Sequence, residues 1–217
     1  MSAPFVITID GPAASGKSTV GLGTAKALGL GYFDTGLLYR ALTWLALQHG
    51  IDRAEGIVLA ELVPDLAIEI DPDGSVFRQG HDITPELKQP SVDAAVSRVS
   101  AHPEVRQAMR PAQRALIRPP GLVMAGRDIG TVIVPEAPLK IWLSASPEVR
   151  AQRRAAQTGA DYARVLDEMR RRDQHDGSRE IAPMTPAPDA VEVVTDDVDP
   201  EAVIARIVAL ARQRGAP

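Results

Sequence analysis

The chain has 217 residues, 45% of them apolar and 24% charged, with a formal net charge of −4 and no cysteine. That length suits one α/β domain with small appendages; the acidic balance argues against a nucleic-acid partner, and the lack of cysteine excludes disulfides, thiol catalysis and thiolate metal sites. No apolar run approaches the roughly 20 residues that cross a bilayer, and the apolar stretch near the start has the length of a strand rather than a leader, so a cytoplasmic protein with no membrane partner is expected.

The β-branched run Phe5-Val-Ile-Thr-Ile-Asp10 reads as a strand and leads directly into Gly11, Pro12, Ala13, Ala14, Ser15, Gly16, Lys17, Ser18 and Thr19. These nine residues contain the pattern Gly-x-x-x-x-Gly-Lys-Ser, and Val20, Leu22, Ala25 and Leu28 behind it have helical spacing. Strand, loop and helix in that order make an anion trap. Small residues let successive backbone N–H groups curl around phosphates, and the helix aims its positive end at the same charge. Lys17 can reach the outer phosphates, and the Ser18 hydroxyl suits Mg²⁺. ATP or a relative is the expected ligand.

Leu30-Gly-Tyr-Phe-Asp34 reads as a second strand, followed over 37–48 by an apolar helix whose one charge is Arg40. Such a charge needs a partner, for which Asp34 is near in sequence, or an exit to water. With Tyr39 beside it and the Thr35 hydroxyl at the helix start, an anion site is the alternative. Residues 54–63 read as a helix stopped near Pro64. Short runs over 66–83, split by Asp-Pro-Asp-Gly and Gln-Gly, predict a small antiparallel meander inserted in the main unit, with His81 solvated. Two helices, about 91–101 and 103–117, carry Ser97 and Arg106.

The apolar strand Leu122-Val-Met-Ala125 delivers Gly126-Arg127-Asp128-Ile-Gly-Thr131 at its end. Open α/β sheets bind ligands at the carboxyl ends of their strands, so Arg127 and Asp128 are either site residues or a self-neutralising pair. Leu139–Leu143 is the next buried strand. From 147 to 177 the chain is helical and rich in arginine, including Arg150, Arg153, Arg154 and Arg172, and it breaks at Gly159 and Asp161 into the form of a flap. Arg172, Asp176 and Arg179 share a face if the second of these helices persists past Gly177. A strand at 191–195 and a helix at 200–213 close the chain. Five apolar strands alternating with helices predict a doubly wound parallel sheet.

Four motifs together, Gly11-Pro-Ala-Ala-Ser-Gly-Lys-Ser, Asp34-Thr-Gly-Leu-Leu-Tyr-Arg40, Gly126-Arg-Asp-Ile-Gly-Thr131 and Arg172-Asp-Gln-His-Asp-Gly-Ser-Arg179, run nearly end to end. Through them the sequence resembles the bacterial cytidylate kinases, within the nucleoside monophosphate kinase group of P-loop proteins. The resemblance implies a five-stranded P-loop core about 1–60, 119–146 and 181–217. It also implies a small antiparallel β/α NMP-binding insertion about 61–118 and a helical lid about 147–180. Its activity would be transfer of the γ-phosphate of ATP, with Mg²⁺, to CMP or dCMP, by a monomer. By the family pattern Thr35, Arg40, Arg127 and Arg179 would hold the CMP phosphate. Cytosine would meet Ser97, Arg106 and Asp128, the ribose would meet Arg172 and Asp176, and Tyr39 would line the acceptor pocket. Lys17, Arg127, Arg179 and the lid arginines Arg150, Arg153 and Arg154 would neutralise the transferred group. The nearest rival is a kinase of the same core acting on UMP, dTMP or shikimate. A GTP-dependent switch is disfavoured, since its guanine-reading Asn-Lys-x-Asp motif cannot occur in a chain without asparagine.

Overall fold

Three largely apolar strands, Phe5–Asp10, Gly121–Gly126 and Leu139–Ser144, are buried at the centre of the structure, a computed structural model that describes residues 3–52, 55–71, 74–178 and 181–217. In chain order the elements are β1 (Phe5–Asp10), α1 (Lys17–Leu28), β2 (Gly31–Asp34), α2 (Gly36–Gln48), α3 (Gly56–Glu61), β3 (Ile68–Ile70), β4 (Val76–Arg78) and β5 (His81–Asp82). They continue with α4 (Pro90–Val99), α5 (Pro103–Ala115), β6 (Gly121–Gly126), β7 (Leu139–Ser144), α6 (Pro147–Thr158), α7 (Tyr162–Gly177), β8 (Val191–Val194) and α8 (Pro200–Gln213). By backbone contacts the chain divides into two compact units, Met1–Phe33 with Ile117–Pro217, and Asp34–Leu116. No described helix is long and apolar enough to cross a membrane.

The first unit is built on a five-stranded parallel sheet in the order β2-β6-β1-β7-β8. β1 lies at its centre, paired in parallel with β6 from Phe5 opposite Gly121 to Asp10 opposite Gly126, and with β7 from Ile7 opposite Leu139 to Asp10 opposite Trp142. Strands covered on both faces need apolar residues at every position rather than every second one. Hence Ile7, Ile9, Val123, Leu139, Ile141 and Leu143 are all buried in one cluster with Val20 and Leu28 of α1 and Val203 and Ile207 of α8. Each such side chain contributes about 1.5–3 kcal/mol through the apolar surface it removes from water. The chain leaves β1 for β2 at one edge and later places β6 and β7 on the two sides of β1. The sheet's topological switch therefore falls at the carboxyl end of β1, where crevices for ligands form.

Local chemistry sets the helix limits in this unit. The Ser146, Asp161 and Asp199 side chains accept N–H groups of the first turns of α6, α7 and α8, and Pro147 and Pro200 occupy first-turn positions that need no donor. Gly159 ends α6 in the left-handed conformation, φ 69°. The break expected there separates α6 from α7, and Ala151, Val165 and Met169 hold the two helices together, with Ala14 packed against them. α7 stops at Gly177 with Ser178 as its cap. Arg179 lies outside the described residues, so the three-residue face proposed from spacing is described only for Arg172 and Asp176.

The second unit holds α2 to α5 and the meander. β3, β4 and β5 pair antiparallel, and Gln79 and Gly80 both have positive φ, 51° and 79°, the type I′ geometry that returns a hairpin without splaying its strands. Leu42, Leu59, Val92, Val105 and Met109 are buried within it. α3 is shorter than the helix read over 54–63, and the chain then makes a 3₁₀ turn over Pro64–Leu66. The proline fits that turn because its fixed φ suits a first turn while its missing N–H cannot extend the helix. This unit begins at Asp34 and so includes α2 and α3 with the small sheet.

Candidate active site

Between β1 and α1 the backbone alternates handedness, with Gly11 at φ 152°, Ala14 at 58° and Gly16 at 97°. This alternation turns amides toward a common centre and makes an anion nest at the start of α1. Glycine is required at position 11, since a Cβ there would lie 2.0 Å from the Leu143 carbonyl oxygen on β7. The Ser15 hydroxyl is buried and has no hydrogen-bond partner. Ser18 and Thr19 are exposed in the first turn of α1.

Lys17 is buried at 9% exposure. Its Nζ donates to the carbonyls of Gly11 (2.8 Å) and Pro12 (2.6 Å). From the end of β6, Arg127 donates from NH1 to the same Gly11 carbonyl at 2.5 Å and from Nε to Asp176 Oδ2 on α7 at 3.2 Å. Two cations therefore meet on one oxygen, crowded by their own loop. Two positive groups converging beside the loop make this a place where an anion would be held. Asp128, buried at 4%, follows Arg127. Arg127 takes Asp176 as a carboxylate partner, a contact between residues 49 apart that spacing alone did not reveal.

The arginines of α6 are already engaged. Arg150, buried, donates to the Ala145 carbonyl (2.9 Å), to the Ala13 carbonyl of the phosphate loop (3.3 Å) and to Asp173 Oδ2 on α7 (2.6 Å). It thereby ties α6 and α7 to the loop. Arg153 donates to the Thr195 hydroxyl at 3.0 Å and to the Thr195 carbonyl. That hydroxyl also lies 3.1 Å from the Ser15 carbonyl, so Arg153 reaches the loop through Thr195. Arg154 is half-buried on α6, its carbonyl accepting from Thr158. Arg172 is half-buried and Asp176 buried on α7. The spacing argument named the arginines here but gave no role to Asp173 or Thr195, whose partners are distant in sequence.

Asp10 was also missed. Its carboxylate accepts the Ile129 and Gly130 amides, both at 2.8 Å, in the π-helical turn Ile129–Ile133 after β6. The available signal was an acidic residue closing an otherwise apolar strand. Burial pushes its pKa up from 3.8 to about 6; the two amides and Lys17 oppose the rise, and Asp128 adds to it. The folded chain thus binds a proton that the unfolded chain has lost between about pH 4 and pH 6, and Asp10's own contribution to stability falls as pH rises through that window. We expect the unfolding free energy of the wild type relative to Asp10→Asn to drop by roughly 2 kcal/mol from pH 4 to pH 7, at 1.36 kcal/mol per pKa unit. Denaturant melts of both proteins across that range measure it; a difference that stays flat would place the carboxyl pKa near its ordinary value.

In the second unit, Thr35 is buried at the start of α2 and Tyr39 is buried one turn on. The Arg106 guanidinium stands over the Tyr39 ring, 5.6 Å from its centroid, and donates to the Ser100 carbonyl at 3.0 Å. Ser97, half-buried on α4, accepts through its carbonyl from the Ser100 hydroxyl. These residues share a neighbourhood. Arg40 is bound to Asp93 (2.5 Å) and to the Leu87 carbonyl (2.8 Å). Asp34, the neighbour considered from sequence, instead accepts the Gly36 amide at 2.9 Å. His81 is exposed, and among the described residues no group of three or more His, Cys, Asp or Glu is placed to hold a metal.

A profile described as cytidylate kinase matches residues 7–213. The chain belongs to the cytidylate kinase family. It is 45% identical to the cytidylate kinase of Mycobacterium avium over 99% of this chain and 98% of that protein. It is 48% identical to the bifunctional pantoate ligase/cytidylate kinase of Synechococcus elongatus, covering 97% of this chain but 42% of that protein. The chain thus spans less than half the length of the bifunctional relatives it matches. Among solved structures, TT1252 from Thermus thermophilus is similar in fold, with a TM-score of 0.51, 20% identity and full coverage of both chains. Family membership agrees with a phosphate nest and an arginine-bearing strand end on adjacent strands β1 and β6.

Proposed function

We propose that this cytidylate kinase family member transfers the γ-phosphate of ATP to CMP or dCMP, giving ADP and CDP or dCDP. The observation that carries this reading is the meeting of Lys17 and Arg127 on the Gly11 carbonyl. One cation belongs to the nest that suits a donor triphosphate, the other to the strand end assigned to the acceptor phosphate. Phosphoryl transfer needs little covalent help from the protein; it needs two phosphates in line and neutralisation of the charge spread between them. The nest amides hold the donor, with the Ser15 hydroxyl as a further donor to its phosphates. Lys17 leaves its two carbonyls for the outer phosphates. Arg127, Arg40, Arg179 and Thr35 grip the acceptor phosphate, and Arg150, with Arg153 and Arg154 beside it on α6, adds positive charge next to the loop.

The exposed Ser18 hydroxyl at the start of α1 is a hard oxygen ligand suited to Mg²⁺. When bound, that ion neutralises charge on the donor phosphates. Cytosine presents an amino donor beside a ring acceptor, so Asp128 with Arg106 and Ser97 forms a complementary reader, while Arg172 and Asp176 serve the ribose and Tyr39 lines the acceptor pocket. A cytoplasmic monomer is part of the same proposal.

If Arg172 contacts the 2′-hydroxyl, Arg172→Ala should raise KM for CMP about ten- to a hundredfold more than KM for dCMP, the scale of one charge-assisted hydrogen bond. Equal rises would remove Arg172 from the ribose. The overall reading is tested by ADP release from ATP with CMP, dCMP, UMP, dTMP and shikimate as acceptors. CMP and dCMP should lead; preference for any other acceptor would overturn the assignment.

A further inference from the structure

Asp10 has no part in the roles above, yet its carboxylate joins the two loops on which they depend. It closes β1 immediately before the nest, and each of its oxygens accepts one amide of the turn after β6, from residues 119 and 120 positions away. The clamped amides belong to Ile129 and Gly130, directly behind Arg127 and Asp128. The same turn is seated closely on the sheet. A Cβ at Gly130 would come within 2.8 Å of Thr8 Oγ1 on β1 and 3.2 Å of Lys140 Cδ on β7. The turn is therefore drawn in by two bonds and stopped by contact. One residue further on, Gly11 accepts Arg127 through its carbonyl, so consecutive residues fix first the backbone and then the side chain of the Arg127-Asp128 segment.

A carboxylate suits this task because it can accept two N–H groups at once. An amide offers one acceptor and turns a donor toward the other N–H, leaving it opposed. The charge is also placed where stability alone would not put it, buried, with Asp128 as a like-charged neighbour and Lys17 as the opposing one. A buried charge that weakens the fold while ordering a site segment is what a role in function, rather than in packing, would produce.

Resting on the cytidylate kinase reading above, we infer that Asp10 is a positioning residue for acceptor recognition: it fixes the turn after β6 so that Arg127 and Asp128 meet the pyrimidine nucleotide in one register. Steady-state kinetics at pH 8, varying CMP, UMP and ATP in turn, test this on the wild type, Asp10→Asn and Gly130→Ala. Misplacing a recognition group by a fraction of an ångström to 1 Å can cost up to about 100-fold. Both variants should therefore lower the CMP-over-UMP ratio of kcat/KM by about tenfold or more and raise KM for CMP by a similar factor, with KM for ATP within about threefold of the wild type. A purely structural role would lower the melting temperature without moving that ratio.

A folded Asp10→Asn enzyme that keeps the ratio and KM for CMP would overturn the inference. So would a rise in KM for ATP equal to that for CMP, which would make Asp10 a support of the phosphate nest. Should Asp10→Asn be recovered only unfolded, Gly130→Ala decides by the same two criteria, because its methyl presses the same turn against the Thr8 and Lys140 side chains while keeping the carboxylate. A wild type without preference for CMP would instead refute the cytidylate kinase reading on which the inference rests.

Discussion

Replacing Lys17 with alanine should lower kcat by about 10³-fold, the upper range for removing one donor aimed at developing charge. KM for CMP should stay within a few-fold. Lys17 is buried at the root of the nest, and its ammonium now holds two carbonyls that an incoming phosphate would replace. Its charge is worth more there than in water, because the medium around it screens less. Melting and CMP titration of the variant separate lost chemistry from lost folding. A loss below about tenfold, in a folded variant, would mean that Lys17 is a strut of the loop rather than a partner of the transferred group.

Asp128→Ala should lower the CMP-over-UMP ratio of kcat/KM by at least about 100-fold, because a site built to hydrogen-bond one polar pattern rejects another by 10⁴ or more. The carboxylate is buried beside Arg127, so it meets a ligand with little water to relieve a mismatch. Toward the cytosine amino group it would accept a hydrogen bond; toward the uracil carbonyl it would repel. Alanine removes both effects, lowering CMP and raising UMP. Competition assays with both nucleotides read the ratio directly, and an unchanged ratio would take Asp128 out of base recognition.

Much of the fold could be read from the chain because its signals are local. The nest was spelled by one unbroken run from Phe5 to Thr19, and the buried parallel strands β1, β6 and β7 showed as largely apolar runs of six residues. The breaks at Gly159, Asp161 and Gln79-Gly80 rest on the conformations those residues prefer, and all appear in the structure. What stayed hidden was pairing over distance. Arg40 lay near Asp34 in sequence but binds Asp93, 53 residues away. Arg150 finds Asp173, and Asp10 finds two amides more than 100 residues on. Residue type says that a buried charge needs a partner, but only the course of the backbone says which one. The same limit explains why the arginines of α6 looked interchangeable from sequence. In the structure Arg150 touches the Ala13 carbonyl, whereas Arg153 is held by Thr195.

The most direct measurement is chromatographic identification of products after mixing the enzyme with Mg²⁺, ATP and CMP. CDP and ADP should accumulate in equal amounts, and neither should form when CMP is omitted. Release of ADP without CDP, or a faster yield from another acceptor than from CMP or dCMP, would contradict transfer between ATP and a cytidine monophosphate.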